Sequence, residues 1–236
     1  MYKEKSFRLI SSNTSSAKIN MATDDALVKS YEESDKPILR LYSWEDSFTL
    51  GVSQKLEDYT HLKEYKNNCA KRITGGGVLF HGHDLSYCLI LPVDYMKNLS
   101  VKESYEKICT FLLNFYKNIG LDAKYAKDDE NITLSKSEFC QIGFEAYDII
   151  VNGLKIGGNA QKRSKKFIFQ HGSIPIRKVD KKQELGNCLE DFNITISYEE
   201  AMIELSKAFE NTFEVNLIES TLNNKENTYL NKMLED

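Results

Sequence analysis

A single domain of α+β or mixed α/β type is the fold class this sequence predicts. Three observations carry that prediction. Short runs rich in aliphatic and aromatic residues recur along the chain, bounded by Gly, Pro, Asn and Ser, as strands are. Asn152-Gly153, between Tyr147–Val151 and Leu154–Ile156, is a hairpin signal, because both central residues of a type I′ turn need positive φ. Two capping boxes, Ser100-Val-Lys-Glu103 and Ser197-Tyr-Glu-Glu200, open helices. Strands separated by a few helices, with hairpins among them, indicate a sheet domain of this class.

In chain order, Ser11–Ser16 reads as a polar lead-in. Ile19–Tyr31 is a helix, with Met21, Ala22, Asp25, Ala26 and Val28 at helical spacing. Leu39–Trp44 and Ser47–Val52 are strands, and Leu56–Tyr65 is a polar helix or loop. Cys69–Thr74 and Val78–Phe80 are strands around a glycine run, and Asp84–Pro92 is a third strand ended by its proline. Helix Val101–Ile119 carries Ile108, Cys109, Leu112, Phe115 and Tyr116 on one face and stops at Gly120. Leu121–Ala126 is a strand, and Lys127–Glu138 is a surface loop without periodicity. Phe167–Ile176 is another strand. Helix Tyr198–Phe213 turns Ala201, Leu205, Ala208 and Phe209 inward, and Lys225–Leu234 is a short terminal helix. No internal repeat, low-complexity segment or linker interrupts the 236 residues, so one domain, 1–236, is expected.

Composition narrows the function. The chain is 41% hydrophobic and 28% charged, ordinary for a soluble globular protein. A net charge of −4 argues against a general nucleic-acid binder. No apolar run reaches membrane-spanning length, and Met1-Tyr2-Lys3-Glu4-Lys5 has no apolar signal core, so a cytoplasmic location is expected. The five cysteines are scattered without a C-x-x-C pair, which points to reduced thiols and away from zinc or disulfides.

The stretch around which the chain is organised is Arg72-Ile73-Thr74-Gly75-Gly76-Gly77, followed by His81 and Asp84-Leu85-Ser86-Tyr87. Glycines inside a strand pattern serve close approach of the backbone to a ligand, or a bulge; a tight hairpin turn would read the same way. No Gly-Lys-Ser/Thr ends the run and no G-x-G-x-x-G opens a helix, which excludes both common nucleotide loops. Downstream, Cys140 precedes the hairpin that carries Lys155. A thiolate beside a cation is a nucleophile suited to carbonyl carbon. A lone Cys is also a small buried hydrophobe, and a lysine beside an Asn-Gly turn is also a solvated hairpin residue. Trp44 reads equally as a core aromatic or as the wall of a pocket. Between Val151 and Lys182 nine Lys or Arg stand against one Asp. That run is a solvated face or a docking patch for an acidic partner, formed by Lys162, Arg163, Lys165, Lys166, Arg177 and Lys178.

Several of these motifs resemble, in order, those of the biotin/lipoate protein ligase and octanoyltransferase family. Arg72 through Gly77, His81 and Asp84–Tyr87 resemble its central motif. Asn20-Met21-Ala22 with Asp24 or Asp25 is similar to its first helix, and Arg40, Trp44 and Gly51 fit the strand that follows. Cys140, Tyr147-Asp148, Gly153-Leu154-Lys155-Ile156-Gly157, Ala160-Gln161 and Gln170-His171-Gly172-Ser173 look like the cysteine-type octanoyltransferases. Departures are Lys71 where a second Arg is common, Gln141 where an aromatic often follows the Cys, and Asn159 where Ser is usual.

The resemblance implies a mixed, mostly antiparallel sheet flanked by helices, with the glycine stretch lining a tunnel for an eight-carbon acyl chain. It implies that Cys140 takes an octanoyl or lipoyl group from a carrier-protein thioester and that Lys155 polarises the acyl carbonyl. Arg72, Thr74, Gly75, Gly76, Gly77, His81, Gly157, Gly158, Ala160, His171 and Gly172 would line the substrate site, with His81 and His171 as candidate bases. The implied partners are acyl carrier protein and lipoyl-domain proteins, the glycine-cleavage H-type protein among them. No cofactor or metal is expected. ATP and magnesium enter only if the chain is an ATP-dependent ligase; bacterial ligases of the family commonly carry an accessory domain, appended or as a partner chain, and the tail after Phe213 is too short to be one. The same scaffold would also suit an amidotransferase that moves the acyl group between lipoyl domains through the same Cys. It would suit a non-catalytic acyl-binding subunit as well, which needs the pocket but neither Cys140 nor Lys155.

Overall fold

A computed structural model describes residues 5–59, 62, 68–135, 139–140, 143–179 and 186–235. Strand β1 (Ser6–Ser15) leads to helix α1 (Ala17–Ser30), then β2 (Ile38–Trp44), β3 (Ser47–Leu50), β4 (Cys69–Lys71), β5 (Leu79–His81) and β6 (Asp84–Pro92). Helix α2 (Val101–Asn118) follows, then β7 (Ala123–Tyr125), β8 (Ile149–Val151), β9 (Leu154–Lys155), β10 (Gly158–Arg163) and β11 (Phe167–Pro175). Helix α3 (Tyr198–Phe213), β12 (Asn216–Glu219) and α4 (Asn224–Glu235) complete the chain.

The main sheet has the order β10-β11-β6-β2-β1-β12. Its pairs β10–β11, β11–β6 and β6–β2 are antiparallel, while β1 pairs in parallel with β2 and β12. Two three-stranded sheets, β4-β3-β5 and β7-β8-β9, stand beside it. The expected mixed, mostly antiparallel sheet flanked by helices is present, although its strands are divided among three sheets.

Every residue of β6 is buried, because helices cover both faces. Leu85, Tyr87, Leu89 and Leu91 pack with Phe111 and Phe115 of α2 and Leu205 and Phe209 of α3. Cys88 and Ile90 face the other way, toward Leu27 and Val28 of α1. The strand period of two therefore sends Asp84 and Ser86 to this second face as well. Antiparallel pairing sets Tyr42 opposite Ser86 and Ser173 opposite Ser86. The second face is thus apolar at one end and polar at the other, and the polar end faces β3–β5 and the glycine run.

Local chemistry built the predicted boundaries. Both capping boxes close reciprocally at Ser100 and Ser197. Asn152 and Gly153 have φ of 50° and 77°, as the type I′ turn requires. Ser11–Ser16 is no lead-in: through Ser15 it continues β1, whose partners Ile38–Trp44 supply the pairing that its polar side chains gave no hint of. Strands β10 and β12 show no strand pattern in the sequence, being charged or short, and are held by their neighbours β11 and β1. Half of Leu56–Tyr65 and part of Lys127–Glu138 lie outside the described residues. Among the described residues, no helix is long and apolar enough to cross a membrane.

Candidate active site

The glycine run is not a hairpin turn. Strands β4 and β5, which flank it, lie on opposite edges of β3. Residues 72–77 cross between them, with the Val52 N–H donating to Thr74 O at 2.8 Å and the Arg72 N–H to Leu50 O at 2.8 Å. A Cβ on Gly51 would meet Gly76 O at 2.1 Å, so the two backbones touch. Gly76 has φ +101°, and a Cβ there would lie 3.1 Å from both Arg72 Nη2 and Cys140 Sγ. Only glycine takes this conformation without strain and leaves room for both groups.

Cys140 is half-buried, its N–H bonded to Val78 O at 2.8 Å. Its Sγ–H donates to Gly77 O at 3.2 Å, and Arg72 Nη2 lies 3.7 Å from the sulfur. Burial pushes the other four thiols up: Cys109 to about 12 and Cys188 to about 11, Cys88 well above the usual range, and Cys69 upward. Those four are poorly suited to nucleophilic work.

Lys155 is buried, and not a solvated hairpin lysine. Strand β9 turns its side chain inward, where Nζ meets Asp148 Oδ2 at 2.6 Å and donates to Gly143 O at 3.3 Å. Asp148 also accepts the Glu145 N–H at 2.7 Å. Burial raises its carboxyl, with the Lys155 cation opposing. Gly158 links Lys155 and Cys140: a Cβ there would lie 3.9 Å from Lys155 Cε and 3.9 Å from Cys140 O.

The two histidines are committed elsewhere. His81 Nδ1 bonds Asp84 Oδ2 at 2.9 Å and Nε2 bonds Thr49 Oγ1 at 2.9 Å. Burial pushes the Asp84 carboxyl up, but His81, His83 and the Ser173 hydroxyl together outweigh this and leave it below the usual range. His171 Nε2 meets Thr74 Oγ1 at 2.6 Å, tying the glycine run to β11. Burial, then the Arg72 charge, holds His171 down to about 3, so it is neutral near pH 7 and a weak base.

These elements surround a cavity of about 740 Å³, counting its open mouth. Cys140, Lys155, Arg72, Gly75, Gly76, Gly77, His81, Gly158, Ala160, His171 and Gly172 line it. Thr74 and Gly157 stand behind the wall. Thr74 holds His171, and a Cβ on Gly157 would strike Ser173 O at 2.6 Å. Gly172 clears space for Asn159, whose Oδ1 accepts the Tyr87 hydroxyl at 2.7 Å.

Sequence reasoning missed part of the lining. Met21, Tyr42, Leu79 and Phe139 add apolar surface beside Trp44, which is both buried and exposed to the cavity. Asp24, not Asp25, lies under this wall, bonded to Arg40 at 2.6 Å and to the Tyr42 hydroxyl at 2.8 Å. Its signal was an acidic residue four positions from Asn20 in an otherwise apolar helix face. Gln141 lies outside the described residues.

The basic run is partly spent within the chain. Lys166 pairs with Glu32 and Lys178 with Asp191, Arg177 donates to Gly82 O, and Arg163 to Leu99 O. Lys162 and Lys165 carry the patch on β10 and just beyond it, next to the cavity residues Gly158–Ala160.

The family model described as lipoyl protein ligase A/B catalytic domain matches residues 16–225. The chain is 37% identical over 188 residues to octanoyltransferase LipM of Bacillus cereus, spanning 75% of this chain and 67% of that protein. It is 30% identical over 252 residues to octanoyltransferase LipM of Brevibacillus brevis, spanning 93% of this chain and 91% of that protein. Among solved structures, a putative lipoate protein ligase from T. acidophilum shares the fold, with a TM-score of 0.81 at 24% identity, covering 98% of this chain and 95% of that one.

Proposed function

The chain belongs to the lipoyl protein ligase A/B catalytic-domain family, and from that premise we propose that it transfers an octanoyl group from a carrier-protein thioester, through Cys140, to a lysine of a lipoyl domain. The observation that carries the reading is the Cys140 sulfur on the cavity wall, with Arg72 at 3.7 Å and the Lys155–Asp148 pair across Gly158.

In the first step the Cys140 sulfur attacks the thioester carbonyl carbon. The carrier sulfur leaves with the electron pair of the broken C–S bond and takes up the proton that Cys140 gives up. In the second step a neutral lysine amine attacks the Cys140 thioester. The C–S bond breaks, Cys140 recovers a proton from the former amine, and an amide remains. Splitting acyl transfer in this way replaces one difficult step with two easier ones.

Lys155 is an ammonium with three donors. Asp148 and Gly143 take two, which leaves one for the acyl carbonyl oxygen as charge develops on it. The acyl chain lies against Trp44, Tyr42, Met21 and Leu79. Neither histidine serves as the base. Both His81 ring nitrogens are occupied, and His171 is held too low to accept a proton near pH 7. Acyl carrier protein is the proposed donor, and lipoyl domains, the H-type protein included, are the proposed acceptors. Lys162 and Lys165 are placed to attract such acidic partners.

A thioester is already activated and an amide is more stable, so the reaction needs neither ATP nor magnesium. The test supplies a lipoyl domain with octanoyl-carrier protein alone, or with free octanoate plus Mg-ATP. Modification in the first mixture is expected. Modification only in the second overturns the reading in favour of a ligase.

A further inference from the structure

We propose that Asp84, His81 and Thr49 form a buried positioning relay that holds the Arg72 guanidinium against the Cys140 sulfur. The proposal rests on Cys140 being the nucleophile of the transfer described above, and it assigns work to three residues that the reaction steps do not use.

The three relay residues and Arg72 are all buried, and Thr49 and Asp84 are 0% exposed. Asp84 is an acceptor only. Its Oδ2 takes the Ser173 hydroxyl at 2.7 Å and the Ser86 hydroxyl at 3.2 Å besides His81 Nδ1, and its Oδ1 takes the Gly82 N–H at 3.3 Å. His81 Nδ1 therefore carries a proton. We assign Nε2 as the acceptor, so that the Thr49 hydroxyl donates to it across 2.9 Å. Having spent its proton, Thr49 Oγ1 can only accept, and Arg72 Nη1 donates to it at 2.7 Å and to Thr49 O at 3.0 Å. This assignment satisfies every partner and gives the donations one direction, from the guanidinium through Thr49 and His81 to the carboxylate.

The guanidinium is a rigid planar fork, so fixing Nη1 fixes Nη2. Nη2 then falls 2.6 Å from Gly77 O and 3.7 Å from Cys140 Sγ. Gly77 O is the same atom that accepts the Cys140 thiol. Trp44 stacks on the His81 ring with centroids 3.7 Å apart and planes 15° apart, and its indole N–H is anchored on Ser86 at 2.9 Å. The imidazole is thus held in plane while both its nitrogens are engaged. Displacing any member loosens the cation beside the sulfur.

Thr49 is the member to change, because it lines no part of the cavity. Thr49→Val keeps the shape and removes the hydroxyl, and Thr49→Ser keeps the hydroxyl. The readout is the rate of iodoacetamide alkylation of Cys140 across pH, located by peptide mass, with thermal melting as the control. Thr49→Val is expected to slow alkylation at neutral pH by about tenfold and to move its pH profile upward, while Thr49→Ser stays within about twofold of wild type. If Thr49→Val fails to fold, Thr49→Ala removes the same hydroxyl without added bulk and is read in the same way. Wild-type rate and profile in a folded variant lacking the hydroxyl overturn the relay. A wild-type protein with hydroxyl-dependent alkylation that takes no octanoyl group from the carrier supports the relay and removes the transfer reading. Octanoyl uptake with hydroxyl-independent alkylation removes the relay alone.

Discussion

Replacing Lys155 with Ala separates what this residue does for the fold from what it does for chemistry. The Lys155 and Asp148 side chains are 7% and 8% exposed and 2.6 Å apart, so theirs is a buried pair and not a surface one. Removing one partner strands the other charge, at a typical cost of about 3–5 kcal/mol. Asp148 keeps the Glu145 N–H at 2.7 Å. The lower end, about 3 kcal/mol, is therefore expected. For a chain of this size each kcal/mol moves Tm by about 2–4 °C, giving a fall of about 6–12 °C. Burial already raises the Asp148 carboxyl against the opposing Lys155 charge, and without that charge the carboxyl rises further. A carboxyl raised in the folded state binds its proton more tightly when folded, so it weakens the fold as pH climbs through its folded value. The deficit of Lys155→Ala relative to wild type is thus smaller at about pH 4.5 than at about pH 7.5. Activity falls by about 10²–10³, the usual loss on removing a donor aimed at a developing oxyanion. Lys155→Met combined with Asp148→Leu removes the stranded charge and recovers most of the stability, but none of the activity. Urea denaturation and octanoyl transfer to a lipoyl domain read the two effects. A Lys155→Ala protein as stable as wild type would remove the structural role from Lys155, and a double variant that transfers normally would remove the catalytic one.

Two glycines of the run are expected to respond differently. Gly76→Ala places a methyl 3.1 Å from Arg72 and Cys140 at φ +101°, which costs about 1–3 kcal/mol and slows Cys140 acylation, measured by denaturation and intact mass. Gly75→Ala meets no atom within 4 Å, so its stability stays within about 0.5 kcal/mol of wild type while KM for the acyl donor rises as the cavity narrows.

Much of the fold was legible because it is set by local chemistry. The Asn152-Gly153 turn, the caps at Ser100 and Ser197, strand Asp84–Pro92 and helix Tyr198–Phe213 lie where the sequence places them. Strands β1 and β12 were partly or wholly hidden because their pairing comes from remote chain, and β10 because its side chains are polar or charged, although its partner β11 follows directly. In the candidate site, motif order brought out Cys140, Lys155 and the glycine run, and the fold gathers them around one cavity. The identity of Lys155's partner was hidden, because Asp148 reads in sequence as the charged end of a hairpin strand. Thr49 was hidden for a different reason. A hydroxyl inside a short strand gives no sign that it will join a histidine to an arginine once β4 and β5 pair on either side of it.

Intact mass after incubation with octanoyl-carrier protein reads the proposed Cys140 thioester itself. The wild-type protein is expected to gain one octanoyl group that maps to Cys140 and chases onto an added lipoyl domain, while Cys140→Ala gains nothing and Cys109→Ala behaves as wild type. An unmodified wild-type protein that still modifies the lipoyl domain, with Cys140→Ala equally active, would contradict transfer through Cys140.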